Sequence, residues 1–146
     1  LTAMRTGWSS LPEMRIKFGK GDTARTQADS VLTFDFEDQW FYSVGLSYDV
    51  SESLTLRTGY AMDNSPIKDK YRSARTPDGD RTWISLGGTY HVTPATSVTF
   101  AYTNVSIEDV TVNRDGTLAE DEFRGALNAD YKSSADVFSL AMNMDF

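Results

Sequence analysis

Few side chains in this chain are able to do chemistry. His91 is the only histidine, and there are no cysteines. Acyl-transfer chemistry would need a serine and an acid converging on His91, and nothing around it announces such a triad. Without cysteine there is no thiolate catalysis, no disulfide and no cysteine zinc site. Asn113, Asp115, Gly116 and Glu122 repeat part of a calcium-loop spacing, but its first position would be Thr111 and no helices flank it. A solvated acidic loop is the better description, so no metal and no cofactor are expected. Asn104-Val105-Ser106 fits a glycosylation sequon but falls on an expected strand. Two arginines remain. Arg57 and Arg81 are each able to hold a carboxylate by charge-assisted hydrogen bonds. For Arg81 the competing role is a structural ion pair with Asp78 or Asp80.

The elements that must position these residues show a period of two. Trp40, Tyr42, Val44, Leu46, Tyr48 and Val50 alternate with Phe41, Ser43, Gly45, Ser47 and Asp49. That is a strand with one greasy face and one wetter face. The pattern returns in residues 54–62 and 81–92, in 96–108 with Val98, Phe100 and Tyr102, and in a long last strand over about 124–146. A rougher segment, 7–18, is interrupted by Pro12. These segments are rich in Thr, Tyr, Phe, Val and Gly and lack a helical period. Six strands are expected.

The connections alternate in length. Residues 51–53 and 93–95 are tight turns, whereas 19–32, 63–80 and 109–123 are long and polar. Outer-membrane barrels place short turns at the periplasmic end and long loops outside. Strands 7–18, 54–62 and 96–108 then run outward and the other three run inward. Trp8, Tyr48, Tyr90 and Phe146 fall near the periplasmic ends, with Tyr60, Tyr102 and Phe138 further along, as interfacial girdles require.

Composition allows this. Charged residues are 24% of 146, a value that looks soluble, yet barrel strands alternate lipid-facing and lumen-facing positions and keep average hydropathy low. No stretch approaches the ~20 apolar residues of a membrane helix. The net charge of −7 excludes nucleic acid, which needs clustered Lys and Arg. Absence of cysteine suits export through an oxidising periplasm. The chain starts at Leu1, shows no signal peptide and is expected to be a fragment.

At the other end, Phe138, Leu140, Met142, Met144 and Phe146 occupy every second position up to the terminus. Such an ending resembles the signal by which barrel assembly machinery recognises its clients through strand addition. An ordinary terminal strand is the alternative.

Several motifs together resemble the FadL family of outer-membrane long-chain fatty acid transporters. Thr6-Gly7-Trp8-Ser9 resembles its T-x-W-S strand. Leu56-Arg57-Thr58-Gly59-Tyr60, followed by Asp63-Asn64-Ser65-Pro66, resembles its R-x-G strand and D-x-S-P loop. Pro77-Asp78-Gly79-Asp80-Arg81-Thr82-Trp83 resembles its P-D-x-D-R-x-W signature, and Ser85 to Tyr90 its S-x-G-x-x-Y stretch. The resemblance covers nearly the whole chain. It implies an all-β fold, an antiparallel transmembrane β-barrel of 14 strands plugged by an N-terminal hatch. Residues 1–146 would be the C-terminal six strands of that one domain, without the hatch.

The resemblance further implies passive uptake of long-chain fatty acids or other hydrophobic molecules through an apolar lumen, without enzymatic activity and as a monomer when full length. Expected partners are such an apolar ligand, outer-membrane lipid and the assembly machinery. Phe41, Trp83, Ala101, Val105, Leu127, Ala129, Tyr131 and Val137 share the lumenal parity with Arg57 and Arg81. They either line a ligand path or merely fill a narrow barrel. The family's headgroup lysine would fall near Leu32, and no Lys lies between Lys20 and Lys68. A structural or adhesive barrel acting through its outer loops is the alternative function. An outer-membrane lipid hydrolase or acyltransferase is a further one, for which the catalytic constellation is missing.

Overall fold

A computed structural model describes residues 1–18, 29–118, 121 and 125–145. Among the described residues eight strands form two sheets: β1 (Thr2–Thr6), β2 (Glu13–Ile16), β3 (Ser30–Thr33), β4 (Gln39–Ser51), β5 (Leu54–Asp63), β6 (Arg81–Thr93), β7 (Thr96–Arg114) and β8 (Leu127–Met144). Six of them build one antiparallel sheet in the order β1-β4-β5-β6-β7-β8. The remaining two, β2 and β3, pair with each other in a separate hairpin. Among the described residues no helix is long and apolar enough to cross a membrane.

The alternation read from the sequence sets the two faces. Trp40, Tyr42, Val44, Leu46, Tyr48 and Val50 of β4 are all exposed on one side, together with Leu86, Phe100 and Leu140. A water-soluble sheet would bury such a face against another layer, whereas here it forms one continuous apolar surface, the pattern of a lipid-contacting belt. On it the Tyr102 and Phe138 rings, paired across β7 and β8, lie 4.8 Å apart.

The belt records the lean of the strands. Its outer edge passes from Trp40 on β4 to Met62 on β5, Ile84 on β6, and Tyr102 and Phe138 on β7 and β8. Through the registers Leu46↔Thr58, Thr58↔Leu86, Leu86↔Tyr102 and Tyr102↔Phe138, Phe138 is level with Leu46, three two-residue steps below Trp40. Three steps are about 20 Å along a strand, and the four strand gaps crossed are about 19 Å. The strands therefore lean about 45° from the membrane normal, as barrel closure requires.

The first and fifth expected strands differ from the structure. The sheet position assigned to residues 7–18 is filled by Thr2–Thr6, and the chain then leaves the sheet through a 3-10 turn at Trp8–Ser10. Trp8 consequently stands at the outer end, beside Gln39, and not at the periplasmic end. Pro12 cannot donate to a ladder; its carbonyl instead receives Phe34 N–H and Asp35 N–H, both at 2.9 Å. The fifth strand does not stop at residue 108 but continues to Arg114, with a bulge between Ile107 and Val110. The bulge exchanges the faces. Beyond it Val110, Val112 and Arg114 turn to the side opposite the belt and are buried. The last strand holds Phe138, Leu140, Met142 and Met144 on the belt face; Phe146 lies outside the described residues, as do Lys20 and Glu122.

Candidate functional site

The face opposite the belt is layered by register. At the outer end stand Phe41, Asp63, Arg81 and Ile107, followed by Ser43, Ala61, Trp83 and Val105. Next come Gly45, Gly59, Ser85 and Thr103, then Ser47, Arg57, Gly87 and Ala101, and finally Asp49, Thr55, Thr89 and Thr99 at the periplasmic end. An ionic layer therefore caps an apolar one, two layers of mostly small residues follow, and a hydroxyl layer closes the series.

The ionic layer is built by two separated motifs binding each other. Arg81 donates to Asp63 at 2.9 Å and to Asp78. Asp80 accepts from the Asn64 side chain at 2.9 Å and from Ser65 N–H at 2.8 Å, and the Ser65 hydroxyl donates to Asp78 at 2.9 Å. Arg72 reaches the Asp78 carbonyl at 2.9 Å. Of the two acids suggested as partners for Arg81, Asp78 takes that role, whereas Asp80 holds the loop backbone. Gly79 between them is dictated by space: a Cβ there would meet Val110 Cγ1 at 2.7 Å and the Glu108 carbonyl at 2.8 Å. The residues from Pro77 to Trp83 thus clamp the 64–80 loop onto β5 and β7.

Arg57 is in a different condition. Its guanidinium donates to the Thr89 hydroxyl at 2.7 Å, and among the described residues no acid pairs with it. Thr89 is in turn 3.0 Å from the Thr99 hydroxyl. A hollow of about 290 Å³ opens beside it, lined by the inward-facing Arg57, Gly59, Ser85, Gly87, Thr99, Ala101 and Thr103 and also by Thr58, Leu86, Gly88 and Phe100 of the belt parity. A cation in an otherwise small-residue wall is equipped to receive an anion's oxygens.

A second hollow, of about 220 Å³, lies at the outer mouth among Trp8, Phe36, Pro66 and Ile67, with Gln39, Asp78 and Arg81 at its rim. The Trp8 and Phe36 rings meet edge to face at 6.1 Å, and Phe36 stacks on Phe34 at 4.8 Å. Trp8 Nε1 donates to the Gln39 side-chain oxygen Oε1 at 2.9 Å. Two ties hold its walls together: Glu37 N–H to the Pro66 carbonyl at 2.9 Å and Lys68 to Asp35 at 2.8 Å. Nothing in the sequence marked this pocket beyond the aromatic residues themselves, because its residues come from three loops.

The other expected lining residues fall into two groups. Phe41, Trp83, Ala101, Val105 and Val137 stand on the face opposite the belt, level with it or just above; Val105 is buried and Val137 is open. Leu127 and Tyr131 keep the same side but stand on the outer extension of the β7–β8 hairpin, opposite Arg114 and Val110. That extension runs roughly 25 Å beyond the belt edge at the lean found above. In the calcium-like spacing, Asp115 Oδ1 accepts from Thr117 N–H at 3.0 Å and from its hydroxyl at 2.7 Å, and Glu122 lies outside the described residues. Among the described residues no cluster suited to a metal is present.

Asp38 fixes the Trp8 turn. Hydrogen bonds from the Ser9 side chain and backbone N–H, with Arg5 adding, hold its carboxyl below the ordinary carboxylate range. A group depressed on folding contributes stability above its unfolded pKa and loses it as pH falls through the folded value. Acidification below the ordinary carboxylate range is therefore expected to release residues 7–12. The check is cleavage of that segment by an acid-active protease, with Asp38→Asn releasing it already at neutral pH.

The outer membrane protein transport protein family (OMPP1/FadL/TodX) matches residues 1–146. The chain is 35% identical to outer membrane protein P1 of Haemophilus influenzae over 143 residues, 97% of the chain and 30% of that protein. It is 33% identical to the 47 kDa outer membrane protein of Pasteurella multocida over 141 residues, 97% of the chain and 29% of that protein. With the long-chain fatty acid transport protein of Escherichia coli it shares 31% over 108 residues, 74% of the chain and 23% of that protein. The crystal structure of a Pseudomonas aeruginosa FadL homologue superposes with a TM-score of 0.79 at 31% identity, over 99% of the chain and 31% of that structure. The chain spans less than a third of the length of these relatives.

Proposed function

The chain belongs to the outer membrane protein transport family (OMPP1/FadL/TodX) and forms part of a β-barrel wall in the outer membrane; from that premise we propose that it is the C-terminal wall of a closed barrel for passive uptake of long-chain fatty acids. Other hydrophobic molecules suit the same lumen, and the concentration gradient alone drives them. The observation that carries this proposal is Arg57: an inward-facing cation without an acid partner among the described residues, set among Gly59, Gly87 and Ala101. A porin lumen lets water and small polar solutes through, whereas a wall this low in inward charge between Arg57 and the ionic layer favours hydrocarbon.

In this proposal Arg57 receives the carboxylate by charge-assisted hydrogen bonds, and Thr89 presets the guanidinium. Arg81 is excluded from that role because Asp63 and Asp78 already occupy it. His91 is exposed at the turn end, and among the described residues no acid or serine side chain is hydrogen-bonded to it.

The test is titration calorimetry of the full-length protein with oleate. A hydrogen bond to a charged group contributes roughly 1.5–3 kcal/mol, so Arg57→Ala should weaken oleate about ten- to hundredfold. The corresponding alcohol, oleyl alcohol, should bind both proteins alike. Absence of oleate binding to the parent would remove the support for transport. Equal oleate affinity in parent and Arg57→Ala proteins would remove Arg57 from the site.

A further inference from the structure

We propose that the mouth pocket and Arg57 are the two ends of one site, which measures the length of an extended acyl chain. It rests on the fatty-acid function proposed above and adds to it a polarity and a ruler. The mouth pocket accepts only uncharged matter. Its rim charges, Arg81 and Asp78, neutralise each other, and the Gln39 side-chain oxygen is taken by Trp8. Its volume of about 220 Å³ is below the ~300 Å³ at which whole-ligand sites begin, so it takes one end of a molecule. The walls are already tied by the Glu37–Pro66 and Lys68–Asp35 contacts, so binding orders nothing new.

Between the two ends the wall gives room. Along β5 the outer layer at Asp63 and the Arg57 layer are separated by three two-residue steps, about 20 Å. On β4, β5 and β6 the layers between them carry Ser43, Ala61 and Trp83, then Gly45, Gly59 and Ser85, with Val105 and Thr103 following on β7 to one side of this strip. Apart from Trp83, the strip itself presents nothing longer than a serine hydroxyl. An extended chain with its carboxylate at Arg57 lies along this strip and ends its tail between Trp8 and Phe36. A short chain with its carboxylate on Arg57 leaves the mouth pocket empty. Affinity therefore rises with length until the tail reaches the pocket and then stops rising.

The experiment uses the full-length protein and two brominated probes, 16-bromohexadecanoate and 2-bromohexadecanoate, with the Trp8→Phe protein identifying the Trp8 share of the fluorescence. Quenching of the Trp8 share by the 16-bromo probe and not by the 2-bromo probe is the expected result. In a series from octanoate to octadecanoate, affinity should rise and then level off. Ile67→Trp, which fills the pocket, should move the plateau to shorter chains. Arg57-dependent binding of hexadecanoate without that quenching, or with the reverse pattern, overturns the ruler and leaves the transport function standing. Failure of every fatty acid to bind overturns both.

Discussion

Replacing Arg114 with alanine is expected to destabilise the outer end of this wall by roughly 3–5 kcal/mol, the cost of breaking a buried ion pair on one side. Arg114 and Asp121 are only 6% and 5% exposed, and three of their nitrogen–oxygen contacts lie at 2.8, 3.0 and 3.2 Å. Arg114 also approaches the Tyr71 carbonyl at 3.5 Å, which joins the loop after β7 to the loop after β5. Removing the guanidinium strands a buried carboxylate. Replacing both partners together, Arg114→Met with Asp121→Leu, should come close to neutral, because no charge is then left unpaired. Urea unfolding of the full-length protein in lipid vesicles measures the first effect, and proteolysis between residues 64 and 80 locates it. Equal stability of the parent and Arg114→Ala proteins, with an intact loop, would show that the pair does not hold the mouth together.

Two adjacent residues test the faces. Leu140 is 78% exposed on the belt, one step below its outer edge, and an arginine there meets hydrocarbon in the membrane at a cost between the ~0–1 kcal/mol of the interface and the ~2–4 kcal/mol of the midplane. Ser139 points the other way and pairs with Ala101 in the small-residue layer. Ser139→Arg is expected to change stability by less than about 1 kcal/mol. The comparison is made by refolding both full-length variants from urea into vesicles, where the cell's assembly machinery is absent. Equal losses from the two substitutions would contradict the assignment of lipid and lumen.

Much of this was legible in the residues because the signal is local. The face of Phe100, Leu86 or Tyr48 follows from strand parity, and the outer and periplasmic ends follow from loop length. The short motifs from Asp63 to Pro66 and from Pro77 to Trp83 were recognisable as pieces, though not as partners. Arg81 was open to two acids by proximity, and only the turn of the loop gave it Asp63 and Asp78 and left Asp80 to Asn64 and Ser65. Pro12 did signal trouble in the first strand. That its place belonged to Thr2–Thr6 depended on pairing with β4, more than thirty residues away.

The sequence by itself determined a two-sided antiparallel sheet, since side chains must alternate along any extended backbone, and its motifs pointed to the family. Tertiary structure alone decided that Val110, Val112 and Arg114 leave the belt parity at a bulge, that Arg57 keeps its charge available while Arg81 does not, and that Trp8, Phe36, Pro66 and Ile67 enclose a pocket. Each of these depends on where distant loops come to rest against a strand, and a periodic local pattern carries no record of that.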